Sequence, residues 1–138
     1  MAKSRAKTKQ SLSPRQKALV VAKAAAAKKG EDLVILNVSR VTSLTDYFVI
    51  THGNSTRQVK AIAEGIRDAI TNCGSRPLGT EGERDASWIL IDWGEVIAHI
   101  FHEPTREFYE LEKLWADARR LKYPPKRGTT KKTGATKK

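Results

Sequence analysis

Few side chains in this sequence combine the residue type and the spacing that catalytic chemistry needs. His52, His99 and His102 are the only histidines. His99 and His102 cannot share one strand face, where side chains recur every second position, so a metal site built on them would need Asp or Glu from elsewhere. Asp92 ends an apolar run, a place where paired carboxylates hold two divalent cations in nucleotidyl transferases. Its pair is missing, since Trp93 and Gly94 follow and the nearest acid is Glu95 across a turn. A turn cap that accepts from backbone amides suits Asp92 better. Ser55 and Thr56 serve better as helix caps than as nucleophiles. No Gly-Lys-Ser/Thr phosphate loop and no Gly-x-Gly-x-x-Gly fingerprint occurs, and Gly79-Thr80-Glu81-Gly82 is short and acidic. Cys73 is the sole cysteine, which rules out an internal disulfide and a cysteine-rich zinc module. These residues point to no metal, no cofactor and no enzyme.

The elements that carry them belong to a chain of 138 residues, 39% of them hydrophobic, a size that suits one domain. No apolar run approaches a membrane span, and no secretory-type segment follows the basic N-terminus. A soluble cytoplasmic protein is expected. The net charge of +11 is unevenly spread: residues 1–29 hold nine Lys or Arg and residues 122–138 hold seven, with no acid in either stretch. Residues 30–121 therefore carry all 15 acids and a net −5. Basic ends on an acidic body attract polyanions without reading their sequence. We expect disordered tails over 1–12 and 122–138, and one folded domain over 13–121.

Within that domain, Ser13-Pro14 starts a helix running to about residue 29, with a modest stripe of Leu19, Val20, Lys23, Ala26 and Ala27. Asp32 to Val38 and Asp46 to Thr51 read as strands. Val59, Ile62, Ala63, Ile66, Ala69 and Ile70 recur by threes and fours, which marks an amphipathic helix ending near Cys73-Gly74. Arg76 to Leu78 reads as a short strand or extended loop, and Gly79 to Asp85 as loop. Trp88 to Asp92 and Glu95 to Phe101 flank Trp93-Gly94 and form a β-hairpin, the strongest local signal. Glu103-Pro104 opens a last helix with a stripe of Phe108, Leu111, Trp115 and Ala118, and with local pairs such as Arg106 to Glu110. Strands mixed with helices in this order imply an α/β fold whose sheet contains an antiparallel hairpin.

Aromatic residues concentrate in this second half. Trp88 and Trp93 lie an odd number of positions apart, so on a regular strand one can be buried while the other faces outward. Exposed Trp and Tyr flanked by charges anchor protein interfaces. An RNA-binding module, using stacked aromatics and the basic ends, is the competing reading, but Trp88 and Trp93 are set among acids.

The runs Trp88 to Phe101 and Arg106 to Trp115 resemble the ribosomal silencing factor family, also called Iojap-related. So do Asp32 to Val38, Thr45 to Ile50, Gly53 to Val59 and Pro77 to Gly82. The resemblance spans about residues 15 to 119. It implies a non-enzymatic factor with a mixed sheet flanked by helices, a nucleotidyltransferase-like topology without that active site. It further implies docking on the large ribosomal subunit through ribosomal protein L-fourteen, which blocks the small subunit and represses translation when nutrients are scarce. Large-subunit maturation is a further implied role, and family members often form homodimers when free. A basic ribosomal protein suits the acidic body, and the basic tails would add non-specific contact with ribosomal RNA. By this analogy the docking surface lies on the hairpin and last helix, with Trp88, Asp92, Trp93, Tyr109, Glu112 and Trp115 as candidates. The helix stripe also makes Trp115 a core candidate. Trp93 departs from the family pattern, which has an aliphatic residue or Tyr there; a bulkier side chain bears on the docking surface or on the dimer.

Overall fold

The computed structural model describes residues 12–123, so the expectation of disordered tails falls largely on residues outside those described. Helix α1 (Pro14–Ala27) starts at a capping box in which Gln16 N donates to Ser13 Oγ at 3.1 Å and Ser13 N donates to Gln16 Oε1 at 2.9 Å. Its buried face is Ala18, Val21, Ala22 and Ala25, with Lys17. That corrects the stripe of Leu19, Val20, Lys23, Ala26 and Ala27. Small alanines let α1 lie close to the next helix and the sheet, and closeness selects a face that hydropathy alone does not. Helix α2 (Thr56–Asn72), capped by Ser55, buries Val59, Ile62, Ala63, Ile66 and Ile70, as its periodicity predicts.

Strands β1 (Glu31–Asn37), β2 (Tyr47–Gly53), β3 (Gly79–Glu81), β4 (Trp88–Asp92), β5 (Val96–His102) and β6 (Arg119–Leu121) form one mixed sheet in the order β3-β4-β5-β2-β1-β6. The hairpin of β4 and β5 is present, with Leu90 opposite His99 and Trp88 opposite Phe101. The centre is a parallel pair, β2 with β5, and every other pairing is antiparallel. Strand β3 falls in residues read as loop, and β6 begins directly after Ala118, the last residue of the expected helix stripe. Both are three-residue edge strands recruited by a neighbour's free backbone groups rather than by their own composition.

Period-two alternation sends side chains to two separate cores. One face, under α1 and α2, buries Ile35, Val49, Ile89, Ile91, Ala98 and Ile100. The other buries Val34, Leu36, Phe48, Ile50 and Phe101. A broken segment covers this second face: α3 (Glu103–Tyr109) and the single turn α4 (Leu111–Leu114) meet at Glu110, which is left-handed at φ 47°. The continuous last helix is thus corrected to two pieces. Phe108 leaves the expected stripe and stands 79% exposed, whereas Leu111 is buried and Trp115 and Ala118 pack on the second core.

The approach to β4 depends on one glycine. Gly82 has φ +84°, and a Cβ there would sit 2.0 Å from the Trp88 carbonyl oxygen. Left-handed geometry and contact with backbone both oppose a side chain. Gly82→Ala is expected to cost about 2 kcal/mol or more and to lower the melting temperature by several degrees in a thermal denaturation scan. An unchanged melt would show that the loop moves freely away from β4.

Candidate docking face

The second face of the sheet is covered only in part, and its opening is aromatic. Trp88 begins β4 beyond the stretch that β3 pairs, because β3 reaches only Leu90 to Asp92. The Trp88 ring centroid lies 4.8 Å from Phe101 and 5.0 Å from Tyr109. Tyr109 meets Phe108 edge-on at 5.0 Å. Ser87, Trp88, Pro104, Thr105, Phe108 and Tyr109 line one cleft, with Tyr109 half exposed. A cluster of this kind, whose rings are held by a sheet on one side and open on the other, suits an apolar contact with another macromolecule.

Of the six side chains singled out in the sequence, Trp88 and Tyr109 belong to this cleft. Trp115 is half-buried and packs edge-on against Phe48 at 5.2 Å, which makes it largely a core residue. Glu112 is engaged: its Oε2 accepts from Arg106 Nη2 at 2.7 Å. Asp92 Oδ1 accepts from Gly94 N at 2.7 Å, so it caps the hairpin turn. Trp93 is 4% exposed within the core under the helices. Its candidacy as a surface contact is corrected, since it keeps the parity of Ile89 and Ile91 and sends the indole into the same core.

Arg106 and His99 were not legible as parts of this site. Arg106, 6% exposed, reaches His52 Nδ1 at 3.0 Å as well as Glu112. The expected pair with Glu110 is absent, and Glu110 pairs with Lys113 at 3.3 Å instead. On an unbroken helix residues 106 and 112 would point about 120° apart, so the kink at Glu110 is what lets them meet. Burial pushes the Glu112 carboxyl up, but the hydrogen bond and charge of Arg106 outweigh it and leave the group below the ordinary carboxylate range. His99, 5% exposed, accepts from Trp88 Nε1 through Nδ1 at 3.1 Å. Burial pushes its pKa down to about 4. Among the described residues, no three His, Cys, Asp or Glu converge as a metal site, and no helix is long and apolar enough to cross a membrane.

The family model described as "Ribosomal silencing factor during starvation" matches residues 11–138. A ribosomal silencing factor from Bacillus subtilis is 43% identical over 105 residues, covering 75% of this chain and 89% of the relative. The mouse protein named for mitochondrial assembly of the ribosomal large subunit is 35% identical over 91 residues, covering 64% of this chain and 40% of that one. A crystal structure from Chromobacterium violaceum superposes with a TM-score of 0.75 at 28% identity, covering 86% of this chain and 95% of that chain.

Proposed function

The chain belongs to the ribosomal silencing factor family, and on that premise we propose that it docks on the large ribosomal subunit through ribosomal protein L-fourteen and sterically blocks the small subunit from joining. Its broad role is that of a translational repressor acting at the ribosome. The observation that carries the finer reading is the open aromatic cleft of Trp88, Phe108 and Tyr109. Such rings, set in a body of net −5 over residues 30–121, fit a cationic protein surface: the charges steer the encounter and the rings supply the desolvated anchor. The basic ends add non-specific attraction to ribosomal RNA. The relative named for large-subunit assembly supports a second use of the same contact during subunit maturation.

Sedimentation of the purified protein with large subunits, small subunits and joined ribosomes tests this. Comigration with large subunits alone is expected, and comigration with small subunits or with protein-free RNA would favour an RNA-binding module instead. The block needs only occupancy, so inhibition of subunit joining should follow the binding curve on free large subunits. It should be weak on ribosomes already joined. No nucleotide turnover is expected, because the Asp92 carboxylate is engaged in its own turn. Magnesium-stimulated nucleotide transfer or hydrolysis that Asp92→Asn abolishes would overturn that expectation.

A further inference from the structure

Two features of His99 set it apart from an ordinary core residue. The indole N–H of Trp88 can only donate, so the His99 Nδ1 that it meets at 3.1 Å must carry the lone pair. The ring is then neutral with its proton on Nε2, in keeping with the pKa lowered to about 4 by burial. That Nε2–H is buried and has no partner among the described residues. Phe48 stands edge-on to the ring at 4.9 Å, and Phe101, two residues along the strand, lies nearly parallel to it at 6.3 Å. A polar donor left unpaired among phenylalanines costs folding stability, and an apolar side chain at this register position would avoid that cost.

We propose that His99 is a positioning residue of the docking face, whose Nδ1 holds the Trp88 indole in the one orientation that the large subunit's protein meets. The inference rests on the docking role of Trp88 proposed above. Trp88 is half-buried at the free end of β4, where packing on Phe101 and Tyr109 alone would allow the indole to turn over. With the bond made, its nitrogen edge is tied to His99 on the sheet while the side chain still lines the open cleft. The only polar atom of the side chain is therefore used internally. The partner meets an apolar ring, which suits aliphatic side chains or the stems of Lys and Arg rather than a hydrogen-bond acceptor.

The test compares His99→Leu, which removes the acceptor, with His99→Asn, whose Oδ1 can stand where Nδ1 stands. Three readouts are needed: large-subunit affinity by sedimentation, the thermal melt, and hydrogen exchange of the Trp88 indole N–H by NMR. For H99L the expected results are a melting temperature no lower than that of the natural chain, lost indole protection, and affinity weakened roughly tenfold, about the worth of one ordered hydrogen bond. H99N should restore protection and most of the affinity. If H99L binds normally while Trp88→Ala does not bind, the positioning role is wrong and the docking reading stands. If H99L loses stability and affinity together and H99N rescues neither, His99 is only a structural residue. Failure of the natural chain to sediment with large subunits sinks the docking reading, and this inference with it.

Discussion

Trp88→Ala is expected to abolish binding to the large ribosomal subunit while leaving the sheet folded. The indole touches Phe101, Tyr109 and His99 yet lines the open cleft, as the proposed role of interface anchor requires. Truncating such an anchor commonly costs about 2 kcal/mol or more of binding, a loss of thirtyfold or greater by about 1.4 kcal/mol per decade. Some stability will go too, because His99 loses its donor and part of Phe101 is uncovered. That loss should stay below the ~3 to 5 kcal/mol of an emptied core site, since Ile89 and Ile91 hold β4 from the other face. A binding titration beside a thermal melt separates the effects. A folded variant that still sediments with large subunits would remove Trp88 from the interface.

Arg106→Met should be the most destabilising of the substitutions considered for this segment. The guanidinium ties α3 to β2 through His52 and to α4 through Glu112. Without it a carboxylate is left facing an apolar side chain, a change that costs about 3 kcal/mol, at the low end for buried pairs because Glu112 reaches water. The pH dependence gives a second signature. The Glu112 carboxyl lies below its usual range in the folded protein, so the pair's stabilisation is fully present above the unfolded carboxylate range. It fades as acid carries the pH down through the folded value. Urea denaturation at neutral and acid pH should therefore show a large deficit for Arg106→Met at neutral pH that narrows in acid. A deficit independent of pH would mean that the arginine acts through packing alone.

What could be read in advance follows from how local each cause is. Helix α2 and the β4–β5 hairpin announce themselves because their apolar residues repeat with the element's own period. The parity of Trp88 and Trp93 likewise puts their indoles on different sides of the sheet, one half-exposed and one buried. The buried face of α1 is hidden by a composition in which alanine occupies every side of the helix. The kink at Glu110 has no glycine to mark it and exists to serve a pair six residues apart. Strands β3 and β6 depend on a neighbour rather than on their own residues. The aromatic cleft is half legible: Trp88 and Tyr109 stand out by type, whereas helical spacing puts Phe108 in a stripe that the broken helix does not have. Nothing local tells that His99 and Trp88 will meet, since only the register of Leu90 against His99 brings them side by side.

The central parallel pair also governs the order in which this chain can fold as it is made. Strand β2 ends at Gly53, but its parallel partner β5 is complete only at His102. A parallel neighbour cannot be reached by a tight turn. Until β5 emerges, the β1–β2 ribbon lacks its main neighbour and neither core can close. Pairing between residues so distant in sequence slows folding, and the half-made sheet offers a sticky edge meanwhile. The last sealing step belongs to residues 103–121, which cap the second face and add β6 beside β1. Those same residues complete the aromatic cleft, so the proposed docking face is whole only when nearly all of residues 13–121 have been made.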